Sequence, residues 1–104
     1  MIQLLNSLPN GIWNTSKVRN VTTISTDVAI TFLQIGFTSF IGHANFAEIL
    51  TSQTGIEIPV NRSQADLGSD ILAALVTTPR RLAEGEKWTE EEILAMPIQW
   101  VLVM

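Results

Sequence analysis

His43 is the only histidine in the chain, and an imidazole can give or take a proton near neutral pH. It stands in Phe40-Ile41-Gly42-His43-Ala44-Asn45, where strand-like residues give way to helix-like ones. Gly42 is expected to let the backbone bend beside the ring. A helix start carries partial positive charge and gathers phosphate, so the imidazolium would be favoured where a phosphate sits. That suits His43 as the acid in phosphodiester cleavage. The plainer alternative is a helix-start residue whose ring packs on the surface.

Three further groups carry candidate chemistry. In Arg80-Arg81-Leu82-Ala83-Glu84-Gly85, an arginine fork matches phosphate oxygens at two points. Glu84 is placed to orient a ribose hydroxyl or the arginine. The alternative is a solvated loop whose charges pair with one another. Asn61-Arg62 follows an extended segment and serves either a site or a structural tie between loops. Asn6-Ser7 closes the first strand-like run, and ligands of open α/β sheets lie beyond strand C-termini. Trp13, Trp88 and Trp100 offer stacking surfaces, although core or interface packing is their commoner task. No Gly-rich phosphate loop is present, and no Ser-His-Asp set can be argued from spacing.

These groups need elements to hold them. Ile2–Leu5 reads as a strand that runs into the turn residues Asn6-Ser7-Leu8-Pro9-Asn10-Gly11. Val21–Ser25 is β-branched and strand-like, and Thr26-Asp27 offers a helix cap. The helix that follows places Val28, Phe32 and Ile35 on one face and ends at Gly36. Phe37–Ile41 is the next strand. Ala44–Thr54 is a helix built on Phe46, Ile49 and Leu50 and stopped by Gly55. Ile58-Pro59-Val60-Asn61-Arg62 is extended. The apolar run Ile71–Val76 is a strand buried on both faces. Thr89 with Glu92 forms a capping box, with Glu90, Glu91 and Glu92 matched to the helix dipole. Ile98–Val103 closes the chain as a strand. The order predicts a compact α/β or α+β domain over residues 1–104, with one mixed sheet and helices packed on it.

Composition narrows the function. Charged residues make up 15% against 46% hydrophobic, so an apolar homodimer contact is expected. The chain has no cysteine, which removes disulfides and thiol chemistry and, with one histidine, argues against a zinc site. The net charge of −4 disfavours long nucleic acid, whose binding rests on basic side chains. A small anionic ligand held by a few arginines and amides remains open. No apolar run reaches the roughly 18 residues of a membrane helix, and the N-terminus does not read as a signal peptide. A cytoplasmic protein with no metal or other cofactor is the expectation.

Several segments together resemble the viral ring nucleases, type III anti-CRISPR proteins first known from archaeal viruses. They are Ile41-Gly42-His43, Leu50 through Gly55, Asn61-Arg62, Asp70-Ile71-Leu72, Arg81-Leu82-Ala83-Glu84-Gly85, Glu91-Glu92-Ile93 and the closing strand. The likeness runs from about Leu4 to the C-terminus. It implies a mixed sheet of about five strands in a two-fold homodimer. It implies cyclic tetra-adenylate as the ligand, bound across the dimer interface. A ribose 2′-hydroxyl would attack the adjacent phosphate without a metal and leave linear di-adenylate with a cyclic 2′,3′-phosphate. By the same resemblance His43 is the general acid, Arg81 the phosphate contact and Glu84 a positioning or proton-handling residue. Asn6 lines the site, and Ser7, Gly42, Asn61 and Arg62 complete the candidate ligand-binding set. The chain departs from the pattern in having Ala44-Asn45-Phe46 where an Asp-Ser-Thr type stretch follows Gly-His, and Pro9 near a usual serine. The alternative function is a non-catalytic cyclic-nucleotide-binding or protein-interaction module of the same fold.

Overall fold

A run of β-branched and aliphatic residues at both chain ends and in the middle builds one sheet, and the amphipathic segments between them pack on it. The computed structural model describes residues 1–8, 20–66 and 68–104. The elements are β1 (Ile2–Leu5), β2 (Val21–Ile24), α1 (Thr26–Ile35), β3 (Phe37–Ser39), α2 (Ala44–Thr54), β4 (Ile71–Val76), α3 (Glu90–Ala95) and β5 (Ile98–Val103). Trp13 and the turn residues Pro9, Asn10 and Gly11 lie outside the described residues.

The five-stranded sheet has the order β2-β5-β4-β1-β3. β1 is parallel to both β3 and β4, while β5 is antiparallel to β4 and β2. This is the expected single α+β domain with a mixed sheet. Register follows the two-residue strand period: Leu4 sits beside Leu72, and Leu5 beside Ala73. Leu4, Leu72, Ala74 and Trp100 therefore share the face that meets Ala29, Leu33, Ala47 and Leu50 of the helices. Leu5, Ile71, Ala73, Val101 and Val103 line the opposite face, with Leu8, Phe40 and Ala65 packed against them. The first four residues of β4 are buried, as its continuous apolar run predicts. Each fully buried aliphatic side chain contributes about 1.5–3 kcal/mol. No helix among the described residues is long and apolar enough to cross a membrane.

Three details differ from the sequence reading. α1 is capped by Ser25, whose Oγ accepts from the Val28 N–H at 3.3 Å, rather than by Thr26 or Asp27. Its buried residues are Ala29 and Leu33, while Val28 is exposed and Ile35 is 81% exposed. Apolar residues surround this helix, so spacing alone fits more than one face. The small Ala29 belongs to the face that lies closest to the sheet. The third difference is in β3, which ends at Ser39 rather than Ile41. Ser39 Oγ donates to the Pro59 carbonyl at 2.6 Å and accepts from the Ile41 N–H at 3.2 Å. The chain then re-pairs, with Ile41 forming a parallel bridge to Val60.

The bounds of β1, α2, β4 and β5 agree, while β2 ends one residue early, at Ile24. Gly55 ends α2 in the left-handed conformation at φ 74°, its N–H donating to the Thr51 carbonyl. The Thr89–Glu92 capping box is closed from both sides at 3.1 and 2.9 Å.

Candidate functional site

Because β1, β3 and β4 run parallel, the segments that follow them gather at one edge of the sheet. Asn6 and Ser7 follow β1, Gly42 and His43 follow β3, and Thr77 through Glu86 follow β4. This is where an open sheet with helical crossovers leaves room for a ligand.

His43 is the N-cap residue of α2, with extended backbone (φ −123°, ψ 130°). Its carbonyl accepts from the Ala47 N–H at 3.1 Å. Its side chain caps no amide of the helix, so the exposed ring is left available for other work. The ring lies 6.3 Å from that of Phe46, tilted by 59°. Gly42 does not supply the backbone freedom expected of it. Among the described residues the positive-φ glycines are Gly36, Gly55 and Gly85, and a Cβ at Gly42 would meet Arg62 Cγ at an ordinary 3.8 Å.

The Ile41–Val60 bridge brings Asn61 and Arg62 beside the Gly42–His43 pair. The Asn61 N–H donates to the Ile41 carbonyl at 2.9 Å. Arg62 Nε donates to the Gly42 carbonyl at 3.0 Å. Arg62 thus ties two loops together and also lines the space between them. Asn6, Ser7, Phe40, Gly42, His43, Asn61, Arg62 and Ser63 line an open hollow of about 560 Å³. The five ligand-binding candidates named from sequence all fall in it.

A second hollow, of about 300 Å³, shares His43 with the first. It is lined by His43, Asn45, Phe46, Thr78, Arg80, Arg81, Leu82 and Trp88. The two adjacent arginines divide their tasks. Arg80 forks onto Glu92 at 2.9 and 3.1 Å and reaches Glu86 at 2.8 Å. Glu92 holds the Arg80 guanidinium firmly protonated. In return Arg80, with the Thr89 N–H, holds the Glu92 carboxyl down to about 2. Glu86 is also lowered, first by the Ala83 N–H and then by Arg80. Arg81 makes no ion pair among the described residues and lines the hollow with its charge uncommitted.

Glu84, which the resemblance gives a role beside Arg81, lines neither hollow. It is an exposed turn residue next to Gly85, and the carboxylates that meet Arg80 are Glu86 and Glu92. Sequence reasoning passed over Asn45, Thr78 and Ser63. Thr78 could have been found from its position just past the end of a central parallel strand. Trp88 packs edge-on against Phe46 at 6.2 Å and borders the second hollow. Trp100 is core, with 1% exposure. Among the described residues no three His, Asp or Glu side chains converge as metal ligands.

Residues 2–100 match the profile of the STIV B116-like family. Among solved structures the chain is similar to B116 of Sulfolobus turreted icosahedral virus, with a TM-score of 0.72 and 16% sequence identity. The match covers 98% of this chain and 97% of that one, and it establishes a shared fold. No curated protein sequence matches significantly. With the profile spanning nearly the whole sequence, the chain belongs to the STIV B116-like family.

Proposed function

We propose that the protein is a ring nuclease that opens cyclic tetra-adenylate and so counteracts type III CRISPR signalling. One observation carries the reading. His43 is the only described residue that lines both hollows, and each hollow brings arginine, Arg62 in the first and Arg80 with Arg81 in the second. An RNA phosphodiester laid against His43 would find a proton donor at the bond and positive charge in both adjoining hollows. The motif resemblance adds the cyclic substrate and the two-fold homodimer, in which each subunit supplies one His43 to a two-fold ring.

The chemistry requires little of the protein. A ribose 2′-oxygen attacks the neighbouring phosphorus as its proton passes to solvent, and the bond to the 5′-oxygen breaks. His43, as imidazolium, protonates that leaving oxygen. The product ends in a cyclic 2′,3′-phosphate. Because the nucleophile belongs to the substrate, the protein needs to supply only in-line placement, an acid and charge stabilisation. Arg81 stabilises charge on the phosphoryl oxygens, while Arg62, Asn6, Ser7 and Asn61 position the strand. Glu84 faces neither hollow, and this favours a second reading in which the protein sequesters the ring without cutting it.

Incubation with cyclic tri-, tetra- and hexa-adenylates in EDTA, with chromatography of the products, tests both. Conversion of the tetramer to linear di-adenylate is the expected result. Intact ring that co-elutes with the protein selects sequestration, and intact ring that does not bind contradicts both.

A further inference from the structure

The geometry points to Arg80 as a positioning residue. It holds the loop that carries Arg81, so that the neighbouring guanidinium is presented to a phosphate at a lower cost in backbone ordering. This inference rests on the nuclease reading above and deepens it.

Arg80 and Arg81 are adjacent, and only Arg80 is engaged. Its Nε and one Nη meet the two carboxylate oxygens of Glu92 in a fork, and its other Nη meets Glu86. Two-point recognition of this kind fixes direction as well as distance. Both carboxylates are themselves anchored. Glu92 belongs to the Thr89 capping box at the start of α3. Glu86 accepts from the Ala83 N–H at 3.0 Å, while the Glu86 N–H donates to the Ala83 carbonyl at 3.0 Å. Gly85, at φ 77°, supplies the left-handed residue that this tight closure needs. Residues 80–86 are thus folded on themselves and pinned at one point to the helix. The pin lies one residue from the uncommitted arginine of the second hollow. A loop without it would have to give up conformational freedom at each binding event.

Glu92→Gln separates this role from loss of the helix cap, because glutamine at the same position still closes a capping box but offers Arg80 no charge and only one acceptor. Arg80→Gln removes the other partner, and Arg80→Lys keeps the charge but not the fork. Hydrogen exchange at the Ala83 and Glu86 amides reads the loop directly in the free protein. Steady-state cleavage of cyclic tetra-adenylate reads its consequence. In all three variants both amides are expected to exchange faster with α3 still protected. KM is expected to rise about two- to fivefold, the scale of losing an exposed ion-pair contact, with a smaller change in kcat.

Unchanged exchange in Arg80→Gln and Glu92→Gln overturns the clamp. Faster exchange with an unchanged KM overturns its role in presenting Arg81, and so does restoration of KM by Arg80→Lys. A wild-type protein that neither binds nor cuts the ring overturns the functional reading on which the proposal rests. The exchange data then stand as a separate result about the loop.

Discussion

Arg62 Nε donates to the carbonyl oxygen of Gly42 at 3.0 Å across twenty residues of sequence. The contact fixes the carbonyl immediately before His43. Its guanidinium carries further N–H donors that this bond does not use. One side chain therefore sets the loop beside the proposed acid and offers charge to the same hollow. Arg62→Ala is expected to weaken binding of cyclic tetra-adenylate about tenfold or more, the scale of one lost charge-assisted hydrogen bond. Isothermal titration calorimetry measures it, and wild-type affinity in the folded variant contradicts the placement.

Arg81 differs from its neighbour in having no ion-pair partner among the described residues. If it stabilises charge on the reacting phosphate, Arg81→Ala lowers kcat by about 10²–10³, as loss of one preorganised charge-stabilising group does elsewhere. Single-turnover cleavage with enzyme in excess checks this without interference from product release. A loss confined to KM would assign Arg81 to binding alone.

The Arg80–Glu92 pair makes a pH prediction. Glu92 is held down to about 2 from an ordinary 4.5, first by Arg80 and then by the Thr89 N–H. A carboxylate whose folded-state value is depressed contributes stability above its unfolded value and loses it as pH falls through the folded one. Thermal melts of wild type and Glu92→Gln should therefore differ most above pH 4.5 and converge as pH falls toward 2. A gap in Tm that is constant over this window contradicts the assignment.

Leu50 of α2 is fully buried against the sheet, in the cluster that includes Leu4, Leu72 and Trp100. Leu50→Ala is expected to cost about 2–5 kcal/mol of folding stability, read by denaturant unfolding. Because α2 begins at His43, activity should fall with the folded fraction rather than at the site. A folded, fully stable variant would mean that the cluster can close around the gap.

Local features of the fold were legible because their causes are local. The Ile71–Val76 run is a central strand, Gly55 ends α2, and Thr89 with Glu92 caps α3. The face of α1 was not legible, because Val28, Ala29, Phe32, Leu33 and Ile35 surround the helix and only the sheet decides between them. At the site, His43 and five others lining the first hollow, Asn6, Ser7, Gly42, Asn61 and Arg62, could be named one by one. Their meeting could not, since it depends on the non-local bridge between Ile41 and Val60. The arginine loop shows the same limit. A paired loop and a phosphate-binding arginine were competing readings of Arg80-Arg81, and the structure pairs Arg80 while Arg81 makes no ion pair among the described residues. The carboxylate partners proved to be Glu86 and Glu92, which the turn at Gly85 and the start of α3 bring to Arg80.

The central claim is that His43 donates the proton when the ring opens. It is tested most directly by single-turnover cleavage of cyclic tetra-adenylate in EDTA by wild type and His43→Ala, with binding measured on the same preparations. The account predicts linear di-adenylate with a cyclic 2′,3′-phosphate from wild type. It predicts a rate lower by about 10²–10⁴ in the variant, the usual scale of losing a general acid, with the ring still bound. Cleavage by His43→Ala at the wild-type rate would contradict it.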